Sequence, residues 1–435
     1  MLLLKIKQNT HYLFILFIPL FLSIVSCSTS AVDEEPCVGD ECNKSGGDGD
    51  GDGDGGDSDF YIGVPSTTSN KVYMHYLSWF GEGSTGNHWK DGTANEPLIG
   101  YYSSKSWATH LYHILLSSAV GVDGAIINVR TSYDEEAFGL FIESLKRVQA
   151  VYPEFDYSVA ISYDDQDMTV SLAKAKMTDL KNNVITSTTK YLHRDGSPVI
   201  FIWDYEGYLS SQDYRDVANE VFAEKSPILL KNELDLDAVP NQFVMNSIYP
   251  WVQGFEEDGS NWGEVYLDWF YNTAVDFKIN SKMQFVTGAV WAGFDDRNAS
   301  WGQNRWIDRK EGALYNDVWS KVNTGGKDID WVILETWNDF NEGTELEPIT
   351  GNGGYKYMDL TATNIATFKS TDSNIDAEKY MFGAPVQIYK AAKLIENGNR
   401  NYNTFYPKLE LAIEKFLQKK GEESFNLAEE IIDNK

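Results

Sequence analysis

Cysteine is scarce and confined to one end. The chain has three, Cys27, Cys37 and Cys42, so everything beyond residue 42 lacks a thiolate metal site, a disulfide and a cysteine nucleophile. Histidine is nearly as rare. The six are scattered, with His11 inside the N-terminal apolar segment, and no metal-ligand spacing results. There is no HExxH and no GxSxG, and Gly325-Gly326-Lys327 lacks the Ser/Thr and the spacing of a phosphate loop. Positive charge is short as well: 36 Lys and Arg face 65 Asp and Glu, a formal net charge of −29. Such a chain repels phosphate backbones and anionic lipid, which excludes nucleic acid as a partner. Aromatic residues, by contrast, are abundant, at 14 % with 13 Trp and 25 Tyr.

Long apolar runs are missing too. Residues 12–25, preceded by Lys5 and Lys7, form a run too short to cross a bilayer as a helix. The run ends Ile24-Val25-Ser26-Cys27, which resembles the lipobox of bacterial lipoprotein signal peptides. Residues 1–26 are then a signal peptide, and Cys27 is a lipid anchor with acyl chains on its thiol and its amine. Asp33-Glu34-Glu35 is similar to surface-export signals of Bacteroidetes lipoproteins. The expectation is an outer-membrane lipoprotein exposed at the cell surface, with the periplasmic face as the alternative, touching the membrane only through lipid. Residues 27–59 read as an acidic Gly/Asp tether with nothing apolar to pack. Two motifs in it are coincidental. Gly51-x-Gly53-x-x-Gly56 has neither strand nor helix around it, and Asp48-x-Asp50-x-Asp52-Gly53 lacks the final Glu of a calcium loop. No cofactor or metal is implied.

Residues 60–435 read as one catalytic domain. Short β-rich runs at 71–79, 124–129, 156–162, 198–203, 227–230, 242–247, 283–290 and 330–336 alternate with helical patterns. The clearest helices are 134–152, 170–191, 211–223, 265–278, 311–322 and 377–397. Eight buried parallel strands with crossover helices predict an α/β fold, a (β/α)8 TIM barrel. The patterns at 409–418 and 424–433 predict a C-terminal helical extension on its surface.

Chemistry in such barrels collects at the C-terminal strand ends. The third strand is followed by Tyr163-Asp164-Asp165 and the fourth by Asp204-Tyr205-Glu206. The seventh leads into Gly293-Phe294-Asp295-Asp296-Arg297, with Asn304 beyond it. The eighth ends in Thr336-Trp337-Asn338-Asp339-Phe340-Asn341-Glu342-Gly343. Interleaved are Trp79, Trp89, Trp203, Trp291, Trp301, Trp306 and Trp337. Acid pairs among aromatic faces are what glycoside hydrolysis needs: one carboxyl protonates the leaving oxygen while a second assists attack. Each acid could alternatively cap the helix that follows it.

The eighth-strand segment, continuing Thr344-Glu345-Leu346-Glu347-Pro348, resembles the signature of glycoside hydrolase family 99 and its relatives. Gly293-Phe294-Asp295-Asp296 with Asn304-Arg305 is similar to the seventh-strand loop shared with family 71. Tyr76-Leu77-Ser78-Trp79-Phe80-Gly81 with His88-Trp89 is similar to their first-strand motif. The resemblance spans roughly residues 71–350 and implies a metal-independent endo-acting enzyme on α-linked mannan or glucan. It implies Glu342 as general acid/base, and Asp339 as the carboxylate that deprotonates the sugar 2-hydroxyl. Family 99 has Glu at that position and family 71 has Asp. The shorter side chain widens the gap to substrate by about 1.5 Å, which could admit a water and favour inversion. Trp79, His88, Trp89, Tyr163, Asp164, Asp204, Asp295, Asp296, Arg297, Asn304, Trp337 and Asn338 are the candidate contacts to a polysaccharide or oligosaccharide. A non-catalytic glycan-binding lipoprotein on a degenerate barrel is the alternative. Oligomeric state has no signature.

Overall fold

The computed structural model describes residues 62–63, 69–204, 207–233, 244–253, 261–323, 328–371 and 380–434. The signal peptide, Cys27, the tether, Tyr205 and Glu206 lie outside them.

Eight strands form the frame: β1 (Lys71–Leu77), β2 (Gly124–Val129), β3 (Ser158–Asp164), β4 (Ser197–Trp203), β5 (Ile228–Asn232), β6 (Ser247–Tyr249), β7 (Thr287–Val290) and β8 (Trp331–Leu334). They pair in the order β6-β5-β4-β3-β2-β1-β8-β7, every neighbour parallel. The seam between β6 and β7 is bridged by Gln284 N–H to Asn246 O at 2.9 Å and Ser247 Oγ to Phe285 O at 2.7 Å. The sheet therefore closes almost fully into the expected (β/α)8 barrel. Each strand buries both faces, which is why its sequence reads as a continuous apolar run. Alternate residues such as Tyr73, Ile126, Phe201, Leu230 and Ile333 fill the interior. Their neighbours Val72, Ile127, Ile161, Ile202 and Leu334 pack outward against helices.

The helices are α1 (Trp107–Ala119), α2 (Ser132–Val151), α3 (Val170–Asp179), α4 (Ser211–Val221), α5 (Glu264–Ile279), α6 (Ala313–Asn323), α7 (Lys356–Lys369), α8 (Gly383–Glu396), α9 (Tyr402–Leu417) and α10 (Gly421–Ile432). The last three pack on one another as the C-terminal extension, with α8 against α1 and α9 against α2. No helix of the described residues is long and apolar enough to cross a membrane.

Several elements depart from the sequence patterns or were not among them. Helix α1 has no counterpart among the sequence patterns because all thirteen of its residues are buried, leaving no polar face to set a period. Helix α7 was likewise not expected. The pattern at 170–191 breaks at Asp179 into a π-helical turn, Leu180–Val184, before the chain pairs antiparallel with β4 at His193–Arg194. Of the sixth run, residues 242–243 lie outside the described residues, and the described strand is Ser247–Tyr249. Asn246 instead spends its side chain on Leu229 N–H at 2.8 Å and on Arg215, which fixes the register Leu230 to Ser247.

Candidate active site

The segment after β8 folds back on itself at the C-terminal mouth. Trp337 N–H donates to His75 O on β1, while Leu346 and Glu347 N–H return to Trp337 O. The Thr336 and Thr344 hydroxyls meet at 2.9 Å across the base of this loop. Gly343 has φ 59°, and a Cβ there would lie 2.9 Å from Ala94 Cβ and 3.0 Å from Asp295 N. Only glycine satisfies both constraints.

Within the loop, Asp339 is 3 % exposed and its Oδ1 accepts the main-chain N–H of Asn341 at 3.1 Å and of Glu342 at 3.0 Å. Its own N–H is held by Thr336 Oγ1 at 2.8 Å. Glu342, three residues on, is half-buried. Burial pushes the Asp339 carboxyl up to about 6, against the two N–H bonds that favour its charge. Burial and the neighbouring Asp339 carboxylate push Glu342 further, to about 8, although Arg305 pulls it down. The two protons belong to the pair, with the more strongly held one on Glu342. One carboxyl that holds a proton near neutrality beside one that releases it is the condition for acid–base work.

Further acids brace the loop. Glu345, fully buried, accepts from Asn95 Nδ2 and Arg309 Nη2, both at 2.7 Å. Glu347 accepts from Tyr102 OH at 2.7 Å and meets His113 Nε2 at 3.1 Å. Glu335, at the end of β8, lies fully buried 3.3 Å from His75 Nδ1, and its burial raises its carboxyl. Its signal was its parity: it follows Trp331 and Ile333 into the interior. Asn341 also escaped sequence reasoning as a site residue. Its Nδ2 donates to His88 O at 2.9 Å and Gly92 O at 2.6 Å, lacing the first-strand loop to the eighth.

The expected contact residues divide into two groups. Trp79 is half-buried beside the loop, its ring stacked on His88 at 4.6 Å and 20°. Burial lowers the His88 imidazole, so the stack is a neutral aromatic platform. Asp164 faces the barrel interior, 6 % exposed, with its carboxyl raised by burial. Asp204 is bound to Lys231 and to the N–H of Gly207. Asp295 and Arg297 form a bidentate pair at 2.7 and 2.8 Å with Arg297 lying over Trp306. Burial pushes Asp295 up, but Arg297 and Arg309 together outweigh it and hold the carboxyl low. Asn304 is exposed.

The side chains of the second group are bonded to or packed in the scaffold. Asn338 donates to Leu77 O and Tyr102 OH and accepts from Leu77 N–H, tying β8 to β1. Trp337 is fully buried in the outer core. Trp89 is stacked on Phe80 at 3.8 Å with its indole N–H on Tyr102 O. Tyr163 points outward, between Phe138 and Leu180, because it sits one residue out of phase with the inward Ser162 and Asp164. Asp296 is fully buried and bolts its own loop, accepting from Gln303 N–H, Arg305 N–H and Arg305 Nε at 3.1, 2.7 and 2.7 Å.

No protein-family model matches this chain, and no curated protein does. Solved structures do. The chain is similar to the GH99 endo-alpha-mannosidase from Bacteroides thetaiotaomicron in complex with BIS-TRIS-Propane, with 16 % identity and a TM-score of 0.57 over 69 % of this chain and 97 % of that one. A second structure of that endo-alpha-mannosidase gives 15 % and 0.57 over the same shares. A glycoside hydrolase-like protein gives 14 % and 0.54, over 70 % of this chain and 98 % of the other. At these identities the likeness is one of fold.

Proposed function

We propose that this barrel is a glycoside hydrolase that cuts an α-linked polysaccharide, α-mannan or α-glucan, by carboxylate acid–base catalysis. One observation carries the reading: Asp339 and Glu342 lie three positions apart on one short loop after β8, with Asp339 buried and its Oδ1 held by the main-chain N–H of Asn341 and Glu342, where burial and the neighbouring carboxylate raise the Glu342 carboxyl. Glu342 gives its proton to the glycosidic oxygen as the C–O bond breaks. Asp339, pinned by two N–H groups, takes the proton of the attacking hydroxyl, either the sugar 2-hydroxyl or a water. The Trp79–His88 platform offers a flat face to the C–H side of a sugar ring. Fold likeness to a GH99 endo-alpha-mannosidase supports this class. Cys27 would anchor the enzyme by lipid at the cell surface, a reading that rests on sequence alone: Lys5, Lys7, the 12–25 run, the lipobox-like Ile24-Val25-Ser26-Cys27 and Asp33-Glu34-Glu35.

A proton-NMR time course on α-mannans and α-glucans tests the proposal, since it reads substrate and anomeric configuration together. Wild type should release reducing ends and Glu342→Gln should release none while melting normally. Undiminished turnover by Glu342→Gln would sink the assignment. Binding without hydrolysis by wild type would make the protein a glycan-binding lipoprotein instead.

A further inference from the structure

The barrel interior ends, next to the catalytic loop, in a base and an acid. β1 and β8 run parallel with Met74 opposite Leu334, so the residues that follow, His75 and Glu335, stand side by side on the inner face. Their side chains are buried and meet at 3.3 Å, Nδ1 to Oε2. Trp251, two residues past β6, lies edge-on to the imidazole with ring centres 4.9 Å apart. Beyond that one contact, neither His75 nitrogen nor either Glu335 oxygen has a hydrogen-bond partner among the described residues. Such a pair is a poor brace. Ions taken out of water lose hydration that their attraction barely returns, and apolar residues of like size serve a fold as well or better. Tyr73, Ile126, Phe201 and Ile333 do so in the same interior.

The pair is joined to the loop that carries Asp339. His75 O accepts Trp337 N–H at 2.9 Å, and Leu77 exchanges two bonds with the Asn338 side chain. Asp339 follows directly. Burial drives its carboxyl toward the neutral form; the N–H groups of Glu342 and Asn341 oppose that, and so does the charge of His75. The other ionisable groups nearby have different roles. Glu342 and Glu345 are carboxyls raised chiefly by burial. Arg305 and Arg309 are paired with Asp296 and Glu345. Tyr249 on β6 and Tyr266 on α5 feel the Glu335 charge, but burial above all raises both phenols, and they stay neutral. Asp164, and Asp204 with its Lys231, bear on Tyr249 as well. Among the described residues, His75 is the basic side chain that acts on Asp339.

We propose that the buried His75–Glu335 pair is a positioning pair for the reaction: Glu335 holds a proton on the His75 imidazole, and that imidazolium keeps Asp339 an anion, ready to take the proton of the attacking hydroxyl. The proposal rests on the hydrolase reading above. The two residues act through Asp339, and the pair itself gains and loses no proton in the cycle.

The test uses the full chain and two readouts. One is the acid limb of kcat against pH on α-mannan or α-glucan. The other needs no substrate: carbon NMR of the aspartate carboxyls, with Asp339 assigned by difference against Asp339→Asn. His75→Gln should raise both midpoints by about one pH unit, so that the rate on the acid limb falls about tenfold. Glu335→Gln should move them the same way, and Glu335→Asp, which keeps the charge, should leave them near wild type. Lowered thermal stability with both midpoints unmoved makes the pair a mere brace and overturns the proposal. Unmoved midpoints in Glu335→Gln place the proton on Glu335 and overturn it too. If His75→Gln does not fold, Glu335→Gln carries the same test. If wild type turns over nothing, the hydrolase reading falls and the NMR midpoint decides alone: raised in the variants, the pair holds Asp339 ionised; unchanged, it does not.

Discussion

Two loops at the same mouth use aspartate in opposite ways. After β7, Asp295 and Asp296 each face an arginine, Arg297 and Arg305, and are locked into short charge-assisted bonds. After β8, Asp339 and Glu342 face each other instead, with only main-chain N–H groups on Asp339. The first arrangement stabilises charge and shape. The second makes both carboxyls resist ionisation, which is costly for the fold and useful for moving protons. The same residue type thus serves as rivet or as reagent, according to whether a cation stands within reach.

The contrast can be broken in order of size. Asp339→Asn should lower kcat by about a thousandfold, in line with the loss of a general base. The wild-type rate should peak near neutral pH, because the active form needs Asp339 ionised, above about 6, and Glu342 protonated, below about 8. A rate that keeps rising past pH 9 would reverse the assignment of the acid. Asp296→Ala should cost about 3 kcal/mol in urea unfolding, since it removes the buried acceptor of Arg305 Nε and of the Gln303 and Arg305 main-chain N–H groups. Stability unaltered by that change would show the rivet to be dispensable.

A smaller effect concerns stability against pH. Glu342 holds its proton more tightly folded than unfolded, so its contribution is complete below its ordinary value of 4.5 and is lost as pH rises toward about 8. Glu342→Gln has no such loss, and its stability relative to wild type should grow between pH 5 and 8, by about 1 kcal/mol or more, read by thermal melts at each pH. Smallest of all, Asp295→Asn should alter stability by less than about 1 kcal/mol, because its pair with Arg297 is solvent-exposed. A melt that moved by 10 °C would place Asp295 with Asp296 instead.

Much of the barrel was legible because parallel strands buried on both faces leave apolar runs, and amphipathic helices leave a period. Helix α1 left neither, being buried all round, and helix α7 was overlooked as well. Spacing alone sets one piece of geometry: only Phe340 and Asn341 separate Asp339 from Glu342, so one tight loop holds both. Where direction mattered, sequence misled. Tyr163 and Asp164 are adjacent, yet the pleat sends one to the helices and the other to the interior. Asn338 and Trp89 sit within the motifs but are consumed by bonds to β1 and Tyr102.

By itself the sequence determined the barrel architecture, because that follows from the alternation of buried apolar runs with helical periodicity. Only the tertiary structure decided which carboxylates are neutralised by arginine and which confront each other. Arg305 and Asp296 are nine positions apart, and Arg309 and Glu345 thirty-six. Which cation a carboxylate meets, and how deeply it is buried, are properties of the folded loops, and burial is what chiefly raises Asp339 and Glu342.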